Sequence, residues 1–444
     1  MSAATNAAAE RDPGPSRRGR PTPRSYDVAL LGATGFTGTL VADHLASRAF
    51  DGRGALGADA DDDRDEAGTN DTGPRDAAIR WAIAGRNPDK LERLADDLAL
   101  RHGEAARPDI VVADIDDPDS LEVLAARTRV LATTVGPYVR HGEPVVAACV
   151  RSATHYVDIT GEPAFVDAIR ARHDRAARDA GVAVVTCCGF DSVPHDLGVR
   201  FTVAELPDEV PVTVRGYVRG SGRVSGGTAA SAVQAIAEGT RPRSGDAHDP
   251  SEPARRPVHL LPARIHRSAV LQAYGVPLPT IDPIMVARSA AVLPGYGTAF
   301  RYGHYARVRR LPTVVAGIGA IGGIAAMART PPTRRLLQRL LPEQGEGPTA
   351  SQRARGSFEV VFLASAGDRE VVTRVAGGDP GYGETSRMLG EAALSLAFDR
   401  DDRHSGAGAE QVPTAGILTP AVGLGAPYQR RLVACGISFE VLSG

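Results

Sequence analysis

Lysine is nearly missing from this 444-residue chain: Lys90 stands alone, and all other members of the 51 basic residues are arginine. Schiff-base and lysine general-acid chemistry therefore has one candidate, placed inside a helix-like stretch. Cysteine is also scarce. Cys149, Cys187, Cys188 and Cys435 are too few and too irregularly spaced for a disulfide scaffold or a zinc knuckle, which points to a reducing, cytoplasmic compartment. Neither sign of charge is in excess. The 51 basic and 53 acidic residues leave a formal net charge of −2, which removes the simplest basis for nucleic-acid binding. HExxH, paired CxxC and Walker sequences are absent, so no metal centre and no nucleoside triphosphate cleavage are expected. Residues 1–24 lack an apolar segment behind their charges, which favours a disordered arm over a secretory signal.

What is present is an ordinary globular balance, 43% hydrophobic and 23% charged, long enough for two or three domains. From Tyr26, apolar runs alternate with amphipathic stretches. The runs are Val28–Leu31, Ile79–Ala84, Ile110–Ala113, Val130–Val135, Tyr156–Ile159 and Val182–Val185; the helix-like segments are Thr37–Arg48, Pro88–Arg101, Pro118–Arg127, Glu143–Arg151 and Pro163–Asp179. Asn87-Pro88 and Asp117-Pro118 each place a capping side chain before a first-turn proline. Strands alternating with helices predict right-handed crossovers and a parallel sheet covered on both faces. The acidic, glycine-rich stretch 51–78 reads as a solvated insertion, and polar breaks recur at Thr240–Pro257 and Arg400–Val412.

After Gly189 the pattern changes. Val212–Val218, Phe358–Leu363 and Val371–Val375 read as strands joined by loops or a hairpin, predicting a second, α+β domain with a mixed sheet. Leu311–Ala328 carries no charge and holds four glycines. It suits a buried helix, a wall for a lipid-like substrate, or a monotopic membrane contact.

The strongest chemical signal is the strand Val28–Leu31 running into Gly32-Ala-Thr34-Gly35-Phe36-Thr37-Gly38 and then a helix. Gly32 allows the tight turn, Gly35 lets backbone approach a pyrophosphate, and Gly38 allows close helix–strand packing. The helix N-terminus offers N–H groups and partial positive charge to the phosphates. The second strand ends in Gly85-Arg86-Asn87, an arginine where an NAD site expects a carboxylate, so the cofactor expected is NADP(H). Asp114 closes the third strand, placed either to touch adenine or to cap the following turn. Gly136 and Pro137 close the fourth strand on the nicotinamide side, and Tyr138 follows as proton donor, nicotinamide wall or packed aromatic.

The motifs GATGFTG (Gly32–Gly38), AGR (Ala84–Arg86), VGPY (Val135–Tyr138), HGEPVV (His141–Val146) and HYVDITGE (His155–Glu162) together resemble the saccharopine dehydrogenase-like superfamily, and within it the trans-acting enoyl reductases. The likeness continues through CCGFDSVPHDLG (Cys187–Gly198), SGGTAAS (Ser225–Ser231), GDPGYGETSRMLGEAAL (Gly378–Leu394) and GILTPA (Gly416–Ala421). It implies a Rossmann domain over 25–190, an α+β substrate and dimerisation domain over 191–444 whose C-terminal segment packs back on the first, NADP(H), and reductase chemistry.

Reducing an activated double bond needs a hydride donor, donors for the developing enolate, and an acid. Ser192 and the backbone around it offer an oxygen-holding site. Asp191 either caps the next helix, the commoner role, or orients a donor. His195 is a candidate acid near neutral pH. Asp158 and Glu162 either bind a substrate amino group or, preferably, cap the helix starting at Pro163. Ser225-Gly-Gly-Thr228 is a second glycine turn suited to an anion or to a cap. The expected activity is NADPH-dependent reduction of an acyl or lipid-like substrate. The alternatives are an amino-acid dehydrogenase working on a C–N bond and a non-catalytic NADPH-binding scaffold. Expected partners are a small, lipid-like molecule, a membrane surface through 311–328 and a second copy of the chain, and no nucleic acid.

Overall fold

The computed structural model describes residues 24–54, 79–221, 245–246, 254–310, 312, 347–400, 403–404 and 409–444. The uncharged segment 311–328 apart from Pro312, the Ser225–Ser231 turn and most of the N-terminal arm lie outside the described residues. So does the acidic insertion beyond Gly54, up to which the first helix continues.

Seven strands form the first sheet. They are β1 (Tyr26–Leu31), β2 (Trp81–Gly85), β3 (Asp109–Val112), β4 (Thr128–Thr133), β5 (His155–Asp158), β6 (Ala183–Val185) and, from near the C-terminus, β15 (Gly416–Leu418). Their order is β15-β6-β5-β4-β1-β2-β3, and every pairing is parallel. The chain switches direction across the sheet at the β1–β4 boundary, the point where doubly wound sheets open a crevice beyond their carboxyl ends. The crossover helices are α1 (Phe36–Gly54), α2 (Pro88–His102), α3 (Pro118–Ala126), α4 (Tyr138–Arg151) and α5 (Pro163–Asp179). Asn87 and Asp117 cap α2 and α3 through their side chains, as their sequence context predicts. β1 is buried along its whole length, as a central strand covered on both faces must be.

α6 (Val193–Val203) leads into the second sheet. Its strands are β7 (Val212–Ser221), β8 (Gly245–Asp246), β9 (Val258–Leu260), β10 (His266–Ser268), β11 (Ala273–Pro277), β12 (Phe300–Val308), β13 (Ser357–Ala366), β14 (Arg369–Gly377) and β16 (Ser438–Ser443). The main path runs β10-β11-β12-β7-β13-β14-β16, with β9 paired to β12 and β8 to β9. β12 is parallel to β7 and β9, and the remaining pairs are antiparallel, so the sheet is mixed. α7 (Asp282–Val292) packs beside α6 and β12, while α8 (Gly383–Phe398) and α9 (Pro420–Ala434) join the two sheets.

A buried charge network fixes that junction. The Arg431 guanidinium, with no exposed side-chain surface, donates to both Asp399 oxygens at 2.6 and 3.1 Å and lies 3.4 Å from Glu391. Glu391 also receives His44 and Arg48 from α1. Burial alone would raise the Glu391 carboxyl; the His44 hydrogen bond and the two guanidiniums outweigh it and hold the group down to about 2. Among the described residues no helix is long and apolar enough to cross a membrane.

Candidate active site

The glycine turn after β1 is built by steric exclusion. Gly32 sits at φ +85°, a conformation that disfavours any side chain, and a Cβ there would come within 2.6 Å of Val135 Cγ2. Its N–H donates to Ala84 O at 2.9 Å, which ties the turn to the end of β2. Gly35 N–H donates back to Gly32 O at 3.1 Å. A Cβ on Gly38 would collide with Gly32 O, so the first turn of α1 lies directly on the loop. Thr34 and Gly35 are exposed, and the first-turn N–H groups of α1 have no intrahelical acceptor. Thr37 is half-buried, and the Phe36 ring is covered edge-on by Tyr382 with the Arg353 guanidinium above it. The result is a tight backbone turn that admits no side chain at Gly32 or Gly38.

Arg86 follows β2 beside this turn. It is exposed and makes no ion pair among the described residues. Asp114 takes the turn-capping alternative: its Oδ1 accepts the Asp116 N–H at 3.1 Å. Gly136 and Pro137 are exposed at the end of β4 and joined by a cis peptide bond.

Several side chains are placed otherwise than the sequence suggests. Tyr138 is buried, and its hydroxyl donates to Thr133 O at 3.0 Å, with the Ile159 N–H at 3.5 Å. Burial pushes the phenol well above its ordinary range. Tyr138 is thus a packed strut beneath the turn, not a proton donor facing the crevice. Ser192 is fully buried and its Oγ donates to Asp191 O at 2.6 Å, which directs it away from any substrate oxygen.

Glu162 does not cap its own helix. Its two carboxylate oxygens accept the Tyr138 and Val139 N–H groups at 3.0 and 2.9 Å, capping α4 instead. Asp158 is likewise engaged, accepting from Thr160 N, Cys187 N and Tyr156 Oη at 2.9–3.0 Å. Its burial raises the carboxyl to about 6 against the pull of those three donors.

Asp191 does not cap α6, whose first-turn N–H groups reach Gly189 O and Ser192 O. Its carboxyl faces Gly161, 3.1 Å from where a Cβ would stand, and so lies between the loops that follow β5 and β6. Burial raises its pKa, which favours the protonated form.

His195 is 2% exposed and desolvation drives it well below its ordinary range, so it is a neutral imidazole rather than an acid near pH 7. It meets two partners that the sequence does not announce, Asp282 at the start of α7 and His304 in β12. They lie 87 and 109 residues further along the chain, with no motif around either. Cys187 and Cys188 are buried and pushed well above the ordinary thiol range by desolvation, as suits structural cysteines.

The saccharopine dehydrogenase NADP-binding domain matches residues 70–185, which run from just before β2 through β6. Full-length relatives are closer. The trans-acting enoyl reductase of Mycobacterium ulcerans is 32% identical over 454 residues, 93% of this chain and 97% of that protein. The Mycobacterium leprae trans-acting enoyl reductase is 31% identical over 94% of this chain and 98% of its own length. A Mycobacterium tuberculosis relative, assigned the same activity provisionally, reaches 36% over 94% and 98%. Among solved structures, apo saccharopine dehydrogenase (L-Glu forming) from Saccharomyces cerevisiae aligns over 94% of this chain and 99% of its own, at 14% identity and a TM-score of 0.48. This chain belongs to the trans-acting enoyl reductase family, as an NADP-dependent oxidoreductase whose cofactor domain is of the saccharopine dehydrogenase type.

Proposed function

We propose that the enzyme reduces an activated carbon–carbon double bond of an acyl or lipid-like substrate in the crevice beyond β1, β4, β5 and β6. The observation that carries this reading is full-length likeness to trans-acting enoyl reductases, and the glycine turn after β1 is consistent with it. NADPH supplies the hydride when bound. The Gly32–Gly38 backbone would hold its pyrophosphate, with Thr34 and Thr37 lining the cradle and Phe36 walling it, and Arg86 would pair with the 2′-phosphate. Asp114, its carboxylate spent on its own turn, would present that turn to the adenine. Gly136 and Pro137 would flank the nicotinamide.

Hydride delivered to the β-carbon leaves an enolate that must be protonated at the α-carbon. Asp191 is the residue we assign to that proton. Its carboxyl lies between the β5 and β6 loops, and desolvation favours the form that carries a proton. The amino-acid dehydrogenase reading is disfavoured, because Asp158 and Glu162, the carboxylates that would hold a substrate amino group, are spent on backbone and tyrosine donors.

The test follows NADPH oxidation with enoyl thioesters, and separately with keto acid plus amino acid, for wild type and Asp191→Asn. Turnover with the thioesters is expected, cut by roughly 10²–10⁴ in the variant while NADPH affinity holds, the usual weight of general acid catalysis. Turnover only with keto acid plus amino acid would overturn the reading of the substrate.

A further inference from the structure

Behind Asp191, α6, α7 and β12 converge on His195, Asp282 and His304. All three are buried, and the imidazole rings meet edge-on with centroids 4.6 Å apart. Nε2 of His195 stands 3.3 Å from Asp282 Oδ1, and Nε2 of His304 stands 3.5 Å from Oδ2. We infer that this trio is a binding site for a divalent transition metal of the zinc class.

The spacing decides between a metal site and a hydrogen-bonded triad. Charge-assisted imidazole–carboxylate bonds close to about 2.7–2.9 Å, and neither pair here does so. Ligands at about 2.0–2.1 Å from a shared tetrahedral ion stand about 3.3–3.4 Å from one another. The His195 separation from Asp282 Oδ1, 3.3 Å, matches that figure, and the His304 separation from Oδ2, 3.5 Å, lies just above it.

One of the facing atoms supports the same conclusion independently. Asp282 Oδ1 is buried with no hydrogen-bond partner, a costly state for a group removed from water. Among the described residues no lysine or arginine forms an ion pair with Asp282, whose charged or chargeable partners are the two histidines. The cluster around Glu391 makes the contrast. There His44, Glu391 and Cys435 also lie within ligand distance of one another, but Arg48 and Arg431 already supply the positive charge.

The ligand types suit the assignment. Two histidines and one carboxylate make a three-ligand set, the kind that keeps a further position for water or a substrate oxygen. Proximity to Asp191 places such an ion close behind the proposed proton donor. Metal binding is nevertheless measurable without substrate, so the inference stands or falls apart from the proposed reaction.

The test uses the full-length protein stripped with a chelator and titrated with Co²⁺, then with Zn²⁺ against a chromogenic chelator. About one equivalent is expected, with the intense visible absorption of low-symmetry Co²⁺ that Zn²⁺ abolishes. Asp282→Asn, nearly the same shape, should weaken Zn²⁺ at least about 100-fold, beyond the roughly 10–100-fold typical of outer-shell changes. His304→Asn serves as the second variant, and NADPH binding reports that each is folded. Equal affinity in wild type and both folded variants would mean adventitious surface binding and overturn the inference. Failure of the wild type to develop the Co²⁺ spectrum would overturn it without recourse to any variant.

Discussion

At the residue scale the proposed cofactor site rests on what two glycines exclude and on what one arginine lacks. Gly32 and Gly38 keep side chains out of the turn. Arg86 stands exposed beside it without an ion pair among the described residues. A guanidinium at the start of α2 is unfavourable against the helix dipole, so its placement is best understood through an anionic ligand. A hydrogen bond to a charged group contributes about 1.5–3 kcal/mol, which is roughly 10–100-fold in affinity. Arg86→Ala is therefore expected to weaken NADPH by about that factor and leave NADH unchanged, as read by fluorescence titration. Equal loss for both dinucleotides would remove Arg86 from the 2′-phosphate.

At the scale of elements, α4 is held by a residue from the neighbouring crossover. Glu162 accepts two N–H groups from the first turn of α4, immediately after the Gly136–Pro137 turn that flanks the proposed nicotinamide position. Glu162→Ala orphans both donors and should cost about 1–2 kcal/mol in urea denaturation, whereas Glu162→Gln, which keeps one good acceptor, should cost less. Equal losses would mean that the side chain acts by packing. This cap also shows where sequence legibility ends. The six strands before Gly189, the caps at Asn87 and Asp117 and the mixed second sheet could all be read from local pattern. Periodicity and capping are local signals, and each needs only neighbours in the chain. Glu162 reads locally as a cap for the helix it precedes, and only the packing of α4 beside α5 redirects it. Asp282 and His304 were illegible for the same reason: their meaning arises from the convergence of α6, α7 and β12. β15 is a short apolar run until it pairs with β6.

The whole molecule carries opposed buried titrations, and their signs give its stability a characteristic pH profile. Burial first, then the Arg400 guanidinium, depresses His155 to about 3. Its folded value lies below its unfolded one, so the unfolded chain binds the proton first and stability falls as pH drops below about 6.5. Asp158 is raised to about 6, so the folded chain takes up its proton first. It adds stability on acidification until the unfolded carboxyl also protonates near pH 4. Between about pH 6 and 4 the two contributions, each about 1.4 kcal/mol per pH unit, run in opposite directions and nearly cancel. Below about pH 4 the contribution of Asp158 is complete while that of His155 continues. Glu391, depressed to about 2, then joins it, because its ion pairs with His44, Arg48 and Arg431 are lost as it protonates. Asp196, raised to about 6, and His304, lowered to about 3, titrate in the same range, so the contribution of Asp158 is read as the unfolding free energy of wild type minus that of Asp158→Asn, each from urea denaturation. That difference should grow by about 1.4 kcal/mol per unit as pH falls from about 6 to about 4 and stay constant outside that window. A difference that stays flat between about pH 6 and 4 would show that Asp158 is ionised in the folded protein, with its Thr160, Cys187 and Tyr156 donors outweighing burial.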